Sequence, residues 1–231
     1  MLDITPTEWT AILLSLRVAV IATLVATPFG IALAWLLARR DFWGKSVLDA
    51  LVHLPLVLPP VVTGYLLLLT FGRRGLVGAW LADHLGIVFA FRWTGAALAC
   101  GIMSFPLLVR PIRLSIEAID RRLEQASSTL GAAPWQVFAT VTLPLALPGV
   151  LAGMVLGFAK AIGEFGATIT FVSNIPGETQ TISSAIYSLI QTPDGDTAAL
   201  RLVIVSVVIA TGALVASEWF ARRATQRLHG N

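Results

Sequence analysis

Residues 121–149 read RRLEQASSTLGAAPWQVFATVTLPLALPG, and this stretch interrupts a chain otherwise built for lipid. It turns polar and small at Glu124, Gln125, Ser127, Ser128 and Thr129. Gly131 suits a helix end with a left-handed residue, and Pro134 suits the first turn of a new helix. The spacing predicts two short helices with a bend at Gly131 to Ala133, neither long nor apolar enough to cross a bilayer. Trp135 and Phe138 stand three apart, on one helical face that needs a cover. That cover is either the membrane surface, where Trp anchors interfacial segments, or a soluble partner.

Outside this stretch, composition dominates. The 231 residues are 56% hydrophobic and 13% charged, against about a quarter charged in soluble domains. The class is all-α integral membrane protein, residues 1–231 forming one transmembrane domain. The net charge of +3 is small, and the basic residues sit at the ends of apolar runs, so nucleic acid is not an expected partner and lipid is. Cys100 stands alone, which excludes an internal disulfide. The start, MLDITPTEW, is acidic and the first apolar run far exceeds a signal h-region, so no cleavable signal peptide is expected. His53, His84 and His229 lack metal-ligand spacing, and no metal or cofactor is expected.

Five spans are expected. The first runs from about Trp9 to Leu37, with Pro28 and Gly30 predicting a kink and Arg17 either snorkelling or facing a partner in the bundle. The second runs from about Val47 to Phe71 and holds Pro55, Pro59 and Pro60, followed by Thr63 and Gly64. Three prolines in six residues do not fit a regular helix. Broken backbone at membrane depth is tolerated against protein or a water-filled path. The segment is therefore a pathway candidate, the alternative being a kinked packing helix. A short outer helix is expected within 72–91. The third span runs from about Trp93 to Val109, with helix continuing to Ile119. The fourth, from about Leu145 to Val172, carries Lys160 and Glu164 four apart, then Phe165 and Gly166, and its Gly163 and Gly166 allow a close helix approach or a break. Charges at that depth suggest a functional site; the rival reading is a pair that only fixes helix packing. An outer loop over 173–196 holds a short interfacial helix near Ile182 to Ile190, and the fifth span runs from about Leu200 to Phe220.

Five spans put the termini on opposite sides. One set of ends holds ten basic residues (Arg39, Arg40, Lys45, Arg110, Arg113, Arg121, Arg122, Arg222, Arg223, Arg227) and the other four (Arg73, Arg74, Arg92, Arg201). The excess places 121–149 and the C-terminus in the cytoplasm and the N-terminus outside. No G-x-x-x-x-G-K-[ST] stretch is present, so the chain has no P-loop for ATP.

The stretch resembles the EAA loop of bacterial ABC-importer permeases: Glu-Ala-Ala, three residues, Gly, nine residues, Ile, one residue, Leu-Pro. The matching positions are Gln125-Ala126-Ser127, Gly131, Val141 and Leu143-Pro144. Gln125 replaces the family Glu, Ser127 replaces its second Ala, and Glu124 sits one place early. The resemblance implies that Gln125, Ala126, Ser127, Gly131, Trp135, Phe138, Val141, Leu143 and Pro144 form a cytoplasmic coupling loop docking into a separate ATPase subunit. The segments 54–64 (LPLVLPPVVTG), 163–167 (GEFGA) and 174–181 (NIPGETQT) are similar to the molybdate permease branch. Sulfate, thiosulfate and tungstate permeases are its close relatives. This implies a bacterial inner-membrane homodimer, with two ATPase copies and a periplasmic oxyanion-binding protein, and ATP hydrolysis on the separate subunit. It leaves Pro59, Pro60, Thr63, Gly64, Lys160, Glu164, Phe165 and Gly166 as pathway candidates. Two other classes compete: an ion-coupled carrier using Lys160 and Glu164, and a non-transporting scaffold recruiting a partner through Trp135 and Phe138.

Overall fold

In hydrocarbon a backbone amide finds no water, so apolar runs fold as helices that satisfy their own hydrogen bonds. The computed structural model describes residues 4–229, with side chains to residue 216. Arg222, Arg223, Arg227 and His229, which entered the charge count and the histidine reading, lie outside the described side chains.

In chain order the elements are α1 (Pro6–Arg39), α2 (Lys45–Val57), α3 (Pro60–Phe71), α4 (Leu76–Leu85), α5 (Trp93–Glu117), α6 (Arg121–Thr129), α7 (Pro134–Val137), a π-turn (Phe138–Thr142), α8 (Leu143–Ile162), α9 (Gly166–Val172), α10 (Ile182–Leu189) and α11 (Asp196–His229). Among the described residues, four helical stretches are long and apolar enough to cross a membrane. The pair α2 and α3, bent by 114°, makes a fifth if counted as one broken span.

The core is the triangle of α1, α5 and α8. One buried cluster gathers Val18, Ala19, Cys100, Met103 and Phe171. A second gathers Ala34, Leu108, Ile112, Ile116 and Val150 nearer the basic end. Lipid supplies no hydrophobic drive between helices, so close backbone approach through small residues takes its place. On α8, a Cβ at Gly153 would lie 2.5 Å from the Leu108 carbonyl oxygen, and one at Gly149 would lie 2.7 Å from that of Pro111.

The prolines and glycines of the spans take different places in the helices. Pro28 sits inside α1, which runs unbroken from Pro6 to Arg39. The second span breaks at Leu58 and Pro59: Pro55 stays within α2, and Pro60 takes the first position of α3, where its missing N–H has no partner to lose. The fourth span is also broken, because α8 stops at Ile162 and α9 starts at Gly166. Finally, the helix opened by Pro134 is not separate. It continues through the π-turn into α8.

The two ends of the bundle are tied by different groups. At one end Arg201 donates to Glu8 at 2.7 Å, and the Ile182 N–H donates to the Ser15 hydroxyl at 2.7 Å, fastening α11 and α10 to α1. At the other, Arg113 on α5 donates to Asp49 on α2 and to Glu117, both at 2.8 Å. Between α1 and α2, Asp41 lies outside the spans, and the hydrogen bond from Lys45 holds its carboxyl below the usual carboxylate range.

Candidate coupling surface and pathway site

The polar stretch folds into a protrusion at the basic end. Asp120 caps α6, its carboxylate accepting from the Arg122 N–H at 2.9 Å. α6 contains no buried residue. It ends in a turn where Gly131 has φ +87°, the left-handed conformation that glycine reaches at no steric cost. Gln125, Ala126, Gly131 and Pro144 are exposed, and Ser127, Val141 and Leu143 are half-buried.

The aromatic pair divides. Trp135 is 69% exposed, whereas Phe138 packs edge-on against Trp35 of α1 with ring centroids 6.0 Å apart. Phe138, where the π-turn begins, is half-buried, and Trp135 on the preceding turn stays out. Trp135 and Leu130, which is 90% exposed, are therefore free apolar surface at this end, as are Trp43 and Leu123.

Beneath α6 lies a cavity of about 440 Å³, bounded by Trp35, Arg39, Glu124, Gln125, Pro134 and Phe138. Its wall holds three groups that sequence reasoning did not assign. Arg39 Nε donates to Glu124 Oε1 at 3.2 Å and lies 3.1 Å from Oε2. Arg39 Nη2 donates to the Ile119 carbonyl at 3.2 Å, and the Thr142 hydroxyl donates to Glu124 Oε1 at 2.6 Å. Glu124 was visible in the sequence as an acid one place before the expected one. Arg39 counted only as a topological charge, and nothing singled out Thr142.

The pathway candidates split into two adjacent groups. α3 and α9 touch backbone to backbone: a Cβ at Gly64 would lie 2.5 Å from the Ala167 carbonyl oxygen, and one at Gly166 would lie 2.7 Å from Pro60 Cβ. Pro60, Gly64 and Gly166 therefore meet where both broken spans turn. Pro59 and Pro60 are exposed, and so are Val57, Val61 and Tyr65 beside them. Thr63 is 6% exposed, and its hydroxyl has no partner among the described residues.

The second group is the charged pair. Lys160 Nζ donates to Glu164 Oε2 at 2.6 Å. The two do not share a helix face, because Glu164 lies in the break after α8. Its Oε1 accepts the Ala167 N–H at 2.9 Å and so caps α9. Both oxygens of this buried carboxylate are thus engaged within the fold. Phe165 packs against Tyr187 of α10 with centroids 4.9 Å apart. Among the described residues no group of acidic, His or Cys side chains is arranged to hold a metal ion.

Residues 26–226 match the family model described as binding-protein-dependent transport system inner membrane component. The chain is 60% identical to the molybdenum transport system permease protein ModB of Escherichia coli strain K12, over 97% of this chain and 98% of that protein. It is 56% identical to ModB of Haemophilus influenzae over 96% of each. Among solved structures, a bacterial alginate ABC transporter, crystallised with its alginate-pentasaccharide-bound periplasmic protein, superposes with TM-score 0.76 at 20% identity, over 97% of this chain and 82% of that one, which shows a common fold.

Proposed function

The chain belongs to the binding-protein-dependent transport system inner membrane components, and we propose that within this family it is the membrane subunit of an ATP-driven importer of molybdate. The observation that carries the substrate is the 60% identity to a molybdenum permease over nearly the whole of both chains. In this reading ATP is hydrolysed on a separate cytoplasmic subunit, two copies of which bind a homodimer of this chain. A periplasmic binding protein delivers the anion. The N-terminus lies outside and the C-terminus in the cytoplasm, as the excess of basic residues at the α6 end favours.

The coupling role falls to α6, α7 and the turn between them. Trp135 and Leu130 offer an apolar contact for the ATPase, and Gly131 sets the angle between α6 and the helix that Pro134 opens. Gln125, Ala126, Ser127, Val141, Leu143 and Pro144 build the body of the loop. The path is assigned to the junction of the two broken spans. Five spans are few to enclose a conduit, and a two-fold axis lets the exposed face of α3 from each copy line one. Molybdate is a tetrahedral oxyanion, which hydroxyls and free backbone N–H groups can hold in passing. The unpartnered Thr63 hydroxyl is the candidate donor, with Pro59, Pro60, Gly64, Phe165 and Gly166 shaping the passage. Lys160 stays neutralised by Glu164, so this pair presents no net positive charge to hold the cargo.

The test is reconstitution of the chain with its ATPase and binding protein in liposomes, scoring radiolabelled molybdate. Uptake requiring both partners and ATP is expected. Uptake by the chain alone, driven by a proton or sodium gradient, would falsify the proposal.

A further inference from the structure

The Glu124 carboxylate joins three elements. From α1 comes Arg39, which also holds the Ile119 carbonyl just before α6. From the π-turn at the head of α8 comes Thr142. Glu124 itself stands on α6. The cluster is sheltered: the Arg39 and Glu124 side chains are 9% and 17% exposed, and Thr142 is 1% exposed.

α6 needs such a tie. It has no buried residue, so hydrophobic packing does not hold it to the bundle. Next to the cluster lies the 440 Å³ cavity rather than packed side chains. Charge-assisted hydrogen bonds are short and directional, and they carry a displacement that a void does not. The π-turn that carries Thr142 is a rare form of helix, found often at functional sites.

We propose that Arg39, Glu124 and Thr142 form the joint that passes a push on α6 into α1 and α8. They are positioning residues: they link the docking surface to the spans without themselves contacting the cargo. From α8 the motion reaches Glu164 and α9, and through the Gly64 contact it reaches the broken second span. This inference rests on the importer reading and adds the residues that bear the load. It predicts that breaking the joint separates ATP hydrolysis from transport while the ATPase stays bound.

The experiment uses the complete transporter in liposomes and reads molybdate imported per ATP hydrolysed, together with ATPase co-purified per permease. Glu124→Gln removes the charge facing Arg39. Thr142→Val removes one hydroxyl at nearly constant size and leaves the ion pair in place. Both are expected to lower the ratio by about fivefold or more, with ATPase recovery as in wild type. The double variant Arg39→Gln/Glu124→Gln is expected to be no worse than Glu124→Gln alone, because one joint is broken once. A ratio within about twofold of wild type in both single variants, or a double variant clearly worse than Glu124→Gln alone, overturns the joint. If Glu124→Gln does not assemble, Thr142→Val decides alone, and a wild-type ratio in it overturns the joint. If the wild-type complex takes up no molybdate at the expense of ATP, the importer reading falls, and the joint falls with it.

Discussion

Replacing Lys160 by methionine tests how the fourth span holds its charge. In the native protein the Glu164 side chain is 1% exposed and its oxygens face Lys160 Nζ at 2.6 Å and the Ala167 N–H at 2.9 Å. Lys160→Met keeps the second contact and deletes the cation that faces Glu164. Removing one partner of a buried ion pair costs about 3–5 kcal/mol. Lys160 is 29% exposed and its ammonium is partly hydrated, which favours the lower figure, about 3 kcal/mol. For a chain of this size that loss lowers the unfolding midpoint by roughly 6–12 °C. Glu164→Gln leaves the lysine near water and an acceptor for Ala167, and costs less, about 1–2 kcal/mol. The double variant Lys160→Met/Glu164→Gln buries no charge and should recover at least half of the loss. The assay is built into the chain. Cys100 is the single cysteine, is buried, and donates to the Ala161 carbonyl at 3.5 Å, one residue from Lys160. A thiol-reactive fluorophore therefore reports the opening of this region in detergent on heating. A midpoint for Lys160→Met within about 1 °C of wild type, or a double variant below both singles, would refute the reasoning.

Three further outcomes are expected. Gly131→Trp forces a side chain into φ +87° at a cost of about 1–2 kcal/mol; the protein should reach the membrane, yet lose ATP-driven uptake and co-purified ATPase, and normal uptake would remove the coupling role of this turn. Gly64→Val pushes α3 off α9, because even a Cβ would come within 2.5 Å of the Ala167 carbonyl oxygen; overpacking of about 1–3 kcal/mol should lower the same thiol-reported midpoint by several degrees and cut uptake. Ser15→Ala leaves the buried Ile182 N–H without an acceptor; a loss of about 1–3 kcal/mol is expected in the midpoint, with Ser15→Thr close to wild type.

Residues 54–64 show how far periodicity and composition reach. Clustered prolines announced a broken span, and the span is broken. They did not tell which proline would break it. Pro55 is tolerated inside α2 and Pro60 starts α3, because the bend of 114° depends on what α3 packs against, namely the α9 backbone at Gly64. The coupling stretch behaves likewise. Gly131 and Pro134 each occupy the position their backbone preference suits. Yet the face of Trp135 and Phe138 is not covered as a unit, since Trp35 supplies a partner for one ring only and leaves the other exposed.

What the sequence determined by itself is whatever depends on local backbone preference, length and hydrophobicity. That covers the membrane class, the number of spans, the helix ends at Gly131 and Pro134, and the side on which basic residues gather. It also covers the resemblance through which the importer family was recognised. Tertiary structure decided where the charges go. Lys160 and Glu164 are four apart and paired, but the pair forms across a helix end, because Glu164 is drawn to the free N–H groups at the start of α9. Arg39 and Glu124 are 85 positions apart, and Thr142 lies another 18 beyond. Hydrogen bonds act over about 3 Å, so groups that far apart along the chain meet only after α1, α5 and α8 have packed.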